Sequence, residues 1–150
     1  MKLSTQEEID APIERIWAAV TNAGDYERQV RRKGVEVTRH SEGADLGVGT
    51  TWTAKFDFRG LQRELHTEIS TFDAPNLLVL DSVVGGVDAV AQVELTELPG
   101  NRTRLAASVD MKPTSIPGRV LIQTLRLAKT TLTNRFQRRV RRFAREMEQL

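Results

Sequence analysis

The sequence predicts an α+β fold in which a curved antiparallel sheet wraps around a long C-terminal α-helix, with two short helices after the first strand. Three observations carry this reading. A helical segment follows one N-terminal strand, apolar residues then recur with a period of two from Gly34 to Lys112, and beyond Pro117 the period returns to three or four. A sheet with one apolar face and a helix with one apolar stripe bury those surfaces against each other.

The elements follow in order. Lys2–Ile9 reads as a strand. Asp10 is positioned to cap a helix whose first turn tolerates Pro12, because a proline there lacks only an N–H that would be unpaired anyway. Ile13, Ile16, Trp17 and Val20 give that helix its apolar face, Gly24 is the expected stop, and a second short helix is expected over Asp25–Val30. Val35 and Val37 then alternate with Glu36 and Thr38. After a glycine-punctuated loop, Ser41–Gly49, Trp52, Ala54, Phe56 and Phe58 alternate with polar residues. Arg59-Gly60, Asp73–Asn76, Gly85-Gly86 and Pro99–Asn101 mark turns between successive strands. Leu65, Thr67, Ile69 and Thr71 share one parity, and Leu105, Ala107, Val109 and Met111 close the series. Ser115 can cap the final helix, whose stripe runs through Leu121, Leu125, Ala128, Leu132, Phe136, Val140, Phe143, Met147 and Leu150. One unbroken helix of about thirty residues, roughly 45–50 Å long, is expected.

Length and composition narrow the function. At 150 residues, 39% hydrophobic and 28% charged, the chain is expected to be one domain over residues 1–150 with a core of its own. Cysteine is absent, which excludes disulfides, thiolate metal sites and cysteine nucleophiles. No apolar run is long enough to span a bilayer, and no secretory leader is expected, so a cytoplasmic location is the expectation. The net charge of +2 hides an asymmetry: residues 117–150 carry nine Lys/Arg against two Asp/Glu, whereas residues 1–116 carry 13 against 18.

The opening Ile9-Asp10-Ala11-Pro12-Ile13-Glu14-Arg15-Ile16-Trp17, the segment Gly47-Val48-Gly49-Thr50, the turn Phe72–Asn76 and the run Val93–Leu98 through Thr103–Leu105 occur in the order of a known family. The chain resembles the START-like (SRPBCC) superfamily, and within it the polyketide cyclase/dehydrase-like branch, over essentially its whole length. The resemblance implies the helix-grip fold and a cavity between sheet and helix that accepts an apolar small molecule. Members bind lipids, sterols, quinones, polyketides or plant hormones, and a minority catalyse cyclisation or dehydration. The superfamily has no universal catalytic residue to carry over, so the catalytic residues stay unassigned and enzymatic activity stays open. No metal or other cofactor is implied.

Strand parity then selects the lining. Trp52, Ala54 and Phe56 should face inward with Leu65, Thr67 and Ile69, with Leu80 and Ser82, with Ala91, and with Ala107 and Val109; Leu125 and Leu132 lie opposite on the helix. Among these, the small alanines favour open space over a filled core. Thr67 and Ser82 can orient a polar group of a ligand or bond to neighbouring backbone carbonyls. Arg63 shares the inward parity and either guards the cavity mouth or reaches solvent. Glu64, His66 and Glu68 fall on the opposite, wet face and read as a solvated surface, and His40 beside Glu42 reads likewise. Asp81 and Asp110 point outward, so no interior acid or base is evident.

Binding or transport of a hydrophobic small molecule is therefore the leading function. Two alternatives stand beside it: a cyclase/dehydrase-type enzyme using the same cavity, and an accessory module binding an anionic membrane or ribonucleoprotein surface. The latter would use Arg126, Lys129, Arg135, Arg138, Arg139, Arg141, Arg142 and Arg145, joined by Arg28, Arg31, Arg32 and Lys33 should the two basic runs meet. Nucleic acid is disfavoured as a partner, since Tyr26 is the lone aromatic near these cations. Peripheral membrane contact stays open.

Overall fold

The structure is a computed structural model in which residues 1–40 and 45–150 are described. Glu42 and the first part of the expected loop Ser41–Gly49 lie outside the described residues. The chain runs β1 (Lys2–Ile9), α1 (Ile13–Val20), α2 (Ala23–Arg32), β2 (Glu36–His40), β3 (Thr51–Phe58), β4 (Leu61–Asp73), β5 (Leu77–Val84), β6 (Val87–Leu98), β7 (Arg102–Pro113), α3 (Ile116–Leu127) and α4 (Lys129–Glu148). The strands form one curved antiparallel sheet in the order β1-β7-β6-β5-β4-β3-β2. Strands β2 to β7 are a meander, and β1 pairs with the last of them, Leu3 opposite Val109 and Ile9 opposite Thr103. No helix among the described residues is long and apolar enough to cross a membrane.

The core sits at one end of this sheet. Ile9, Ile13, Ile16 and Trp17 meet Ile69, Leu78, Leu95 and Leu105 there, and Ala144 and Met147 of α4 close over them. Trp17 and Phe72 pack edge to face with ring centres 5.3 Å apart. The fully buried Thr103 hydroxyl donates to the Ala11 carbonyl at 2.9 Å, tying β7 to the approach to α1. Helix α4 runs chiefly beside β1, and α3 beside β7 and β6. Charge reinforces the first contact: Arg141 reaches Glu7 at 3.0 Å, and Arg145 donates to the Glu8 carbonyl at 3.0 Å.

Several local expectations are corrected. Asp10 does not cap α1; its N–H donates to the Glu148 carboxylate at 2.9 Å, and Pro12 occupies the cap position with no side-chain bond. The first helix stops at Val20 rather than Gly24, because Asn22 starts α2 by accepting from the Asp25 N–H at 3.2 Å. Thr71 leaves the inward row, because a β-bulge between Ile69 and Thr71 shifts the parity and turns Phe72 to the core.

The C-terminal helix is broken at Ala128, whose φ of −101° and ψ of 13° depart from helical values. No proline or glycine stands there. Two separate docking contacts fix α3 and α4, and their geometry overrides the local preference for one helix. Ala128 is consequently exposed, as is Leu150, while Ile122 and Ala144 are buried instead.

The α3 contact depends on two glycines. Ser115 caps α3 by accepting from the Gly118 N–H at 3.0 Å, and Thr114 N–H donates to the Gly86 carbonyl at 2.8 Å. A Cβ on Gly118 would lie 1.9 Å from that same carbonyl oxygen. Gly118→Ala is therefore expected to push α3 off the β5–β6 turn at a cost of about 1–3 kcal/mol. Chemical denaturation measures this loss, and proteolysis should cut first within residues 113–128.

Candidate ligand-binding cleft

Cross-strand register arranges the helix-facing side of the sheet in rows. One row runs Arg39, Trp52, Thr67, Ser82, Ala89 and Met111 from β2 to β7. The next runs Ile69, Leu80, Ala91, Val109 and Leu3 from β4 to β1. On the other side of the first row, Ala54 faces Leu65, and Leu65 faces Val84. The outward residues between them, including Lys55, Glu64, His66, Glu68 and Asp81, are exposed. Beyond the bulge at Ile69/Thr71, the register changes this alternation.

Burial along these rows is uneven, and the unevenness defines the cleft. Where α1 and the end of α4 press on the sheet, the inward residues are sealed: Ile69 belongs to the packed core, and Ala107 is buried with it. Ala54 is also buried rather than bordering open space. Across the middle of the sheet, Trp52, Phe56, Leu65, Thr67, Leu80, Ser82, Ala91 and Val109 are only half-buried. From the helical wall, Leu125 of α3 and Leu132 of α4, flanking the break, are half-buried too. Residues on both walls thus keep partial exposure, although Trp52 and Leu80 also pack against the core. The hollows that the structure does show lie elsewhere and are broadly open to solvent. One of about 450 Å³ borders β2 at Arg31 and Val35–Thr38, and one of about 340 Å³ lies over β1, β7 and β6 at Ser4, Gln6, Gln92 and Ser108.

The polar groups of the cleft fall in three places. Thr67 and Ser82 bond to each other, oxygen to oxygen, at 2.8 Å. Among the described residues neither hydroxyl bonds to a backbone carbonyl. The pair spends one of its two hydroxyl protons internally, which leaves the other for a third group. Arg63 lies near the start of β4, opposite Phe56, with its guanidinium 5.6 Å from the Phe58 ring centre. Its Nε is buried and has no hydrogen-bond partner among the described residues, and a Cβ on Gly85 would lie 3.2 Å from its Nη1. It therefore lies against the strand ends instead of extending freely into solvent.

The third place was not anticipated. Glu27 of α2 is only 8% exposed. Its carboxylate accepts from Arg39 Nε at 2.8 Å and Nη2 at 3.2 Å, and from Trp52 Nε1 at 3.3 Å. An interior carboxylate does exist, contrary to the reading that found none, but three N–H donors already engage it. The signal lay in the spacing: Glu27 shares a helix face with Ala23 and Val30, and Arg39 continues the parity of Val35 and Val37. The network ties α2 to β2 and β3 and fixes the indole of Trp52 at the cleft wall.

Outside the cleft, His66 lies 3.4 Å from Glu64, and both side chains are at least half exposed. Among the described residues no three metal-ligating side chains converge. Burial raises the Tyr26 phenol above its usual range; Arg139 opposes that shift and Asp25 adds to it.

Comparison with known proteins agrees with this architecture. Residues 1–148 match the model of a family described as "Polyketide cyclase / dehydrase and lipid transport". No curated protein matches the sequence. Among solved structures, TTHA0849 from Thermus thermophilus superposes with a TM-score of 0.66 at 15% identity, covering 98% of this chain and 97% of that one. A point mutant of norcoclaurine synthase from Thalictrum flavum, in complex with a transition-state analogue, gives 0.65 at 13% identity, covering 98% and 93%. The Zhui aromatase/cyclase from Streptomyces sp. R1128 gives 0.58 at 14%, covering 77% and 69%. At such identities the likeness is one of fold.

The Glu27–Arg39 pair generates a test. Arg39→Met should leave the Glu27 carboxylate buried without its main partner, at a cost of about 3 kcal/mol. Adding Glu27→Leu to that variant should restore most of the loss. Urea unfolding of both single variants and the double variant measures the coupling.

Proposed function

The chain belongs to the polyketide cyclase / dehydrase and lipid transport family, and on that premise we propose that it binds a hydrophobic small molecule in the cleft between the sheet and the C-terminal helices. One observation carries the reading. Apolar residues on both walls, among them Trp52, Leu80, Val109, Leu125 and Leu132, stay half-buried where a filled core would seal them. A guest covering them gains roughly 25 cal/mol per Å² of apolar surface, before the cost of association. The free hydroxyl proton of the Thr67–Ser82 pair and the Arg63 guanidinium supply polar contacts near opposite sides of the apolar wall. A lipid-, polyketide- or quinone-like ligand, largely carbon with one or two oxygens, matches that distribution.

Binding ranks ahead of catalysis for a specific reason. Two of the superposed structures are named as a cyclase and a synthase, and cyclisation or dehydration needs an acid or base free to reach the substrate. The interior carboxylate of this chain, Glu27, is engaged by Arg39 and Trp52.

Native mass spectrometry of protein purified from its own host should reveal a hydrophobic passenger as added mass. Ala91→Phe puts a ring between Leu80 and Val109, its neighbours across the sheet. That variant is expected to lose the passenger and to bind a naphthalene-sulfonate fluorophore at least about tenfold more weakly, with its melting temperature little changed. Unaltered fluorophore affinity in a folded variant would move the site elsewhere.

A further inference from the structure

Helix α3 has two apolar faces, and the sheet uses only one. Gly118 and Ile122 are buried, and half-buried Leu121 and Leu125 lie on the same side. At about 100° per residue, Ile116, Val120 and Leu127 gather within about 40° on the opposite side. They are 78%, 57% and 92% exposed, an unusual outlay of aliphatic surface for one short helix. The neighbouring hydroxyl spends its proton on the helix backbone, since Thr124 Oγ1 donates back to the Val120 carbonyl at 3.0 Å.

The charges on this helix have one sign, while exposed Glu36, Asp57 and Asp88 lie at the adjoining end of the sheet. Helix α3 contains no Asp or Glu; its ionic residues are Arg119 and Arg126, on the flank of the exposed stripe, and Lys129 follows directly. Neither arginine forms an ion pair among the described residues. Sheet register extends the surface. The β3–β4 turn, the β5–β6 turn and the start of α3 share one end of the molecule, where Leu61 is 62% exposed beside Arg59. Arg31, Arg32 and Lys33, at the end of α2, lead into β2 at that same end. Asp57 is the acidic residue of the β3–β4 tip.

We propose that the outer face of α3, together with the β3–β4 tip, docks on an anionic lipid bilayer. An aliphatic stripe edged by arginines with no carboxylate on its helix is the pattern of a segment lying in the interface plane. There Ile116, Val120 and Leu127 enter the acyl boundary while Arg119, Arg126 and Lys129 meet lipid phosphates. Charge complementarity selects this occupant over a second copy of the chain, whose identical face would set arginine against arginine. The proposal stands on exposure and charge, independently of what occupies the cleft.

Co-sedimentation with vesicles tests it. The protein should pellet with vesicles containing phosphatidylglycerol and stay in solution with pure phosphatidylcholine; raising salt from ~0.1 M to ~0.5 M should release it. Ile116→Ser with Leu127→Ser, and separately Arg119→Glu with Arg126→Glu, should each reduce the bound fraction at least about fivefold. Circular dichroism and the fluorophore titration should remain at wild-type values in both variants, which separates failure of docking from failure of folding. Equal binding to both vesicle types, or folded variants that bind as well as wild type, would overturn the proposal. So would a dimer in light scattering that dissociates on Leu127→Ser while vesicles stay unbound.

Discussion

The close approach of α4 to β1 is the contact from which the rest of the architecture follows. Ala144 has no exposed surface, so the helix backbone there lies as near the sheet as a methyl group allows. Met147 fills the adjoining space over Ile9, Ile16 and Trp17, and Glu7 holds Arg141 from the strand side. Fixing the helix at an edge strand and at one end leaves the middle strands without a lid of comparable closeness. The half-buried stretch of the middle strands is the geometric remainder of that attachment. Curvature of the sheet supplies one wall, and the helices, held elsewhere, supply the other.

The break at Ala128 belongs to the same logic. A straight rod seated on β1 at its far end could not also place its start on the β5–β6 turn, where Gly86 and Gly118 let two backbones touch. Splitting the rod satisfies both contacts. The cost is local: one residue leaves helical geometry. Half-buried Leu125 and Leu132 then flank the joint.

Much of this was legible in the residues before any coordinates. Alternation specified the strands because one-residue slips would have exposed every inward side chain, and the glycine pairs marked the hairpins. The fold class followed, and the rows of the cleft with it. What parity could not foresee were events that change parity. The bulge near Thr71 exchanges it for Phe72, a choice made by the cross-strand fit of β5 and by the aromatic contact with Trp17. The Ala128 break is invisible for a related reason, since no helix-breaking residue marks it. Glu27 was missed because a carboxylate in an apolar helix face reads as an error until its partner is known. Arg39 is twelve positions away, and only the packing of α2 on β2 joins them.

The bridge between Thr67 and Ser82 has a property of its own. Either oxygen can give the shared proton, so a simple turn of two hydroxyl rotors reverses which end of the bridge presents hydrogen and which presents a lone pair. A wall furnished this way has no fixed electrical preference at its polar spot. It would greet a ketone or an alcohol with equal ease, and discrimination among guests would fall to where along the carbon skeleton the oxygen sits.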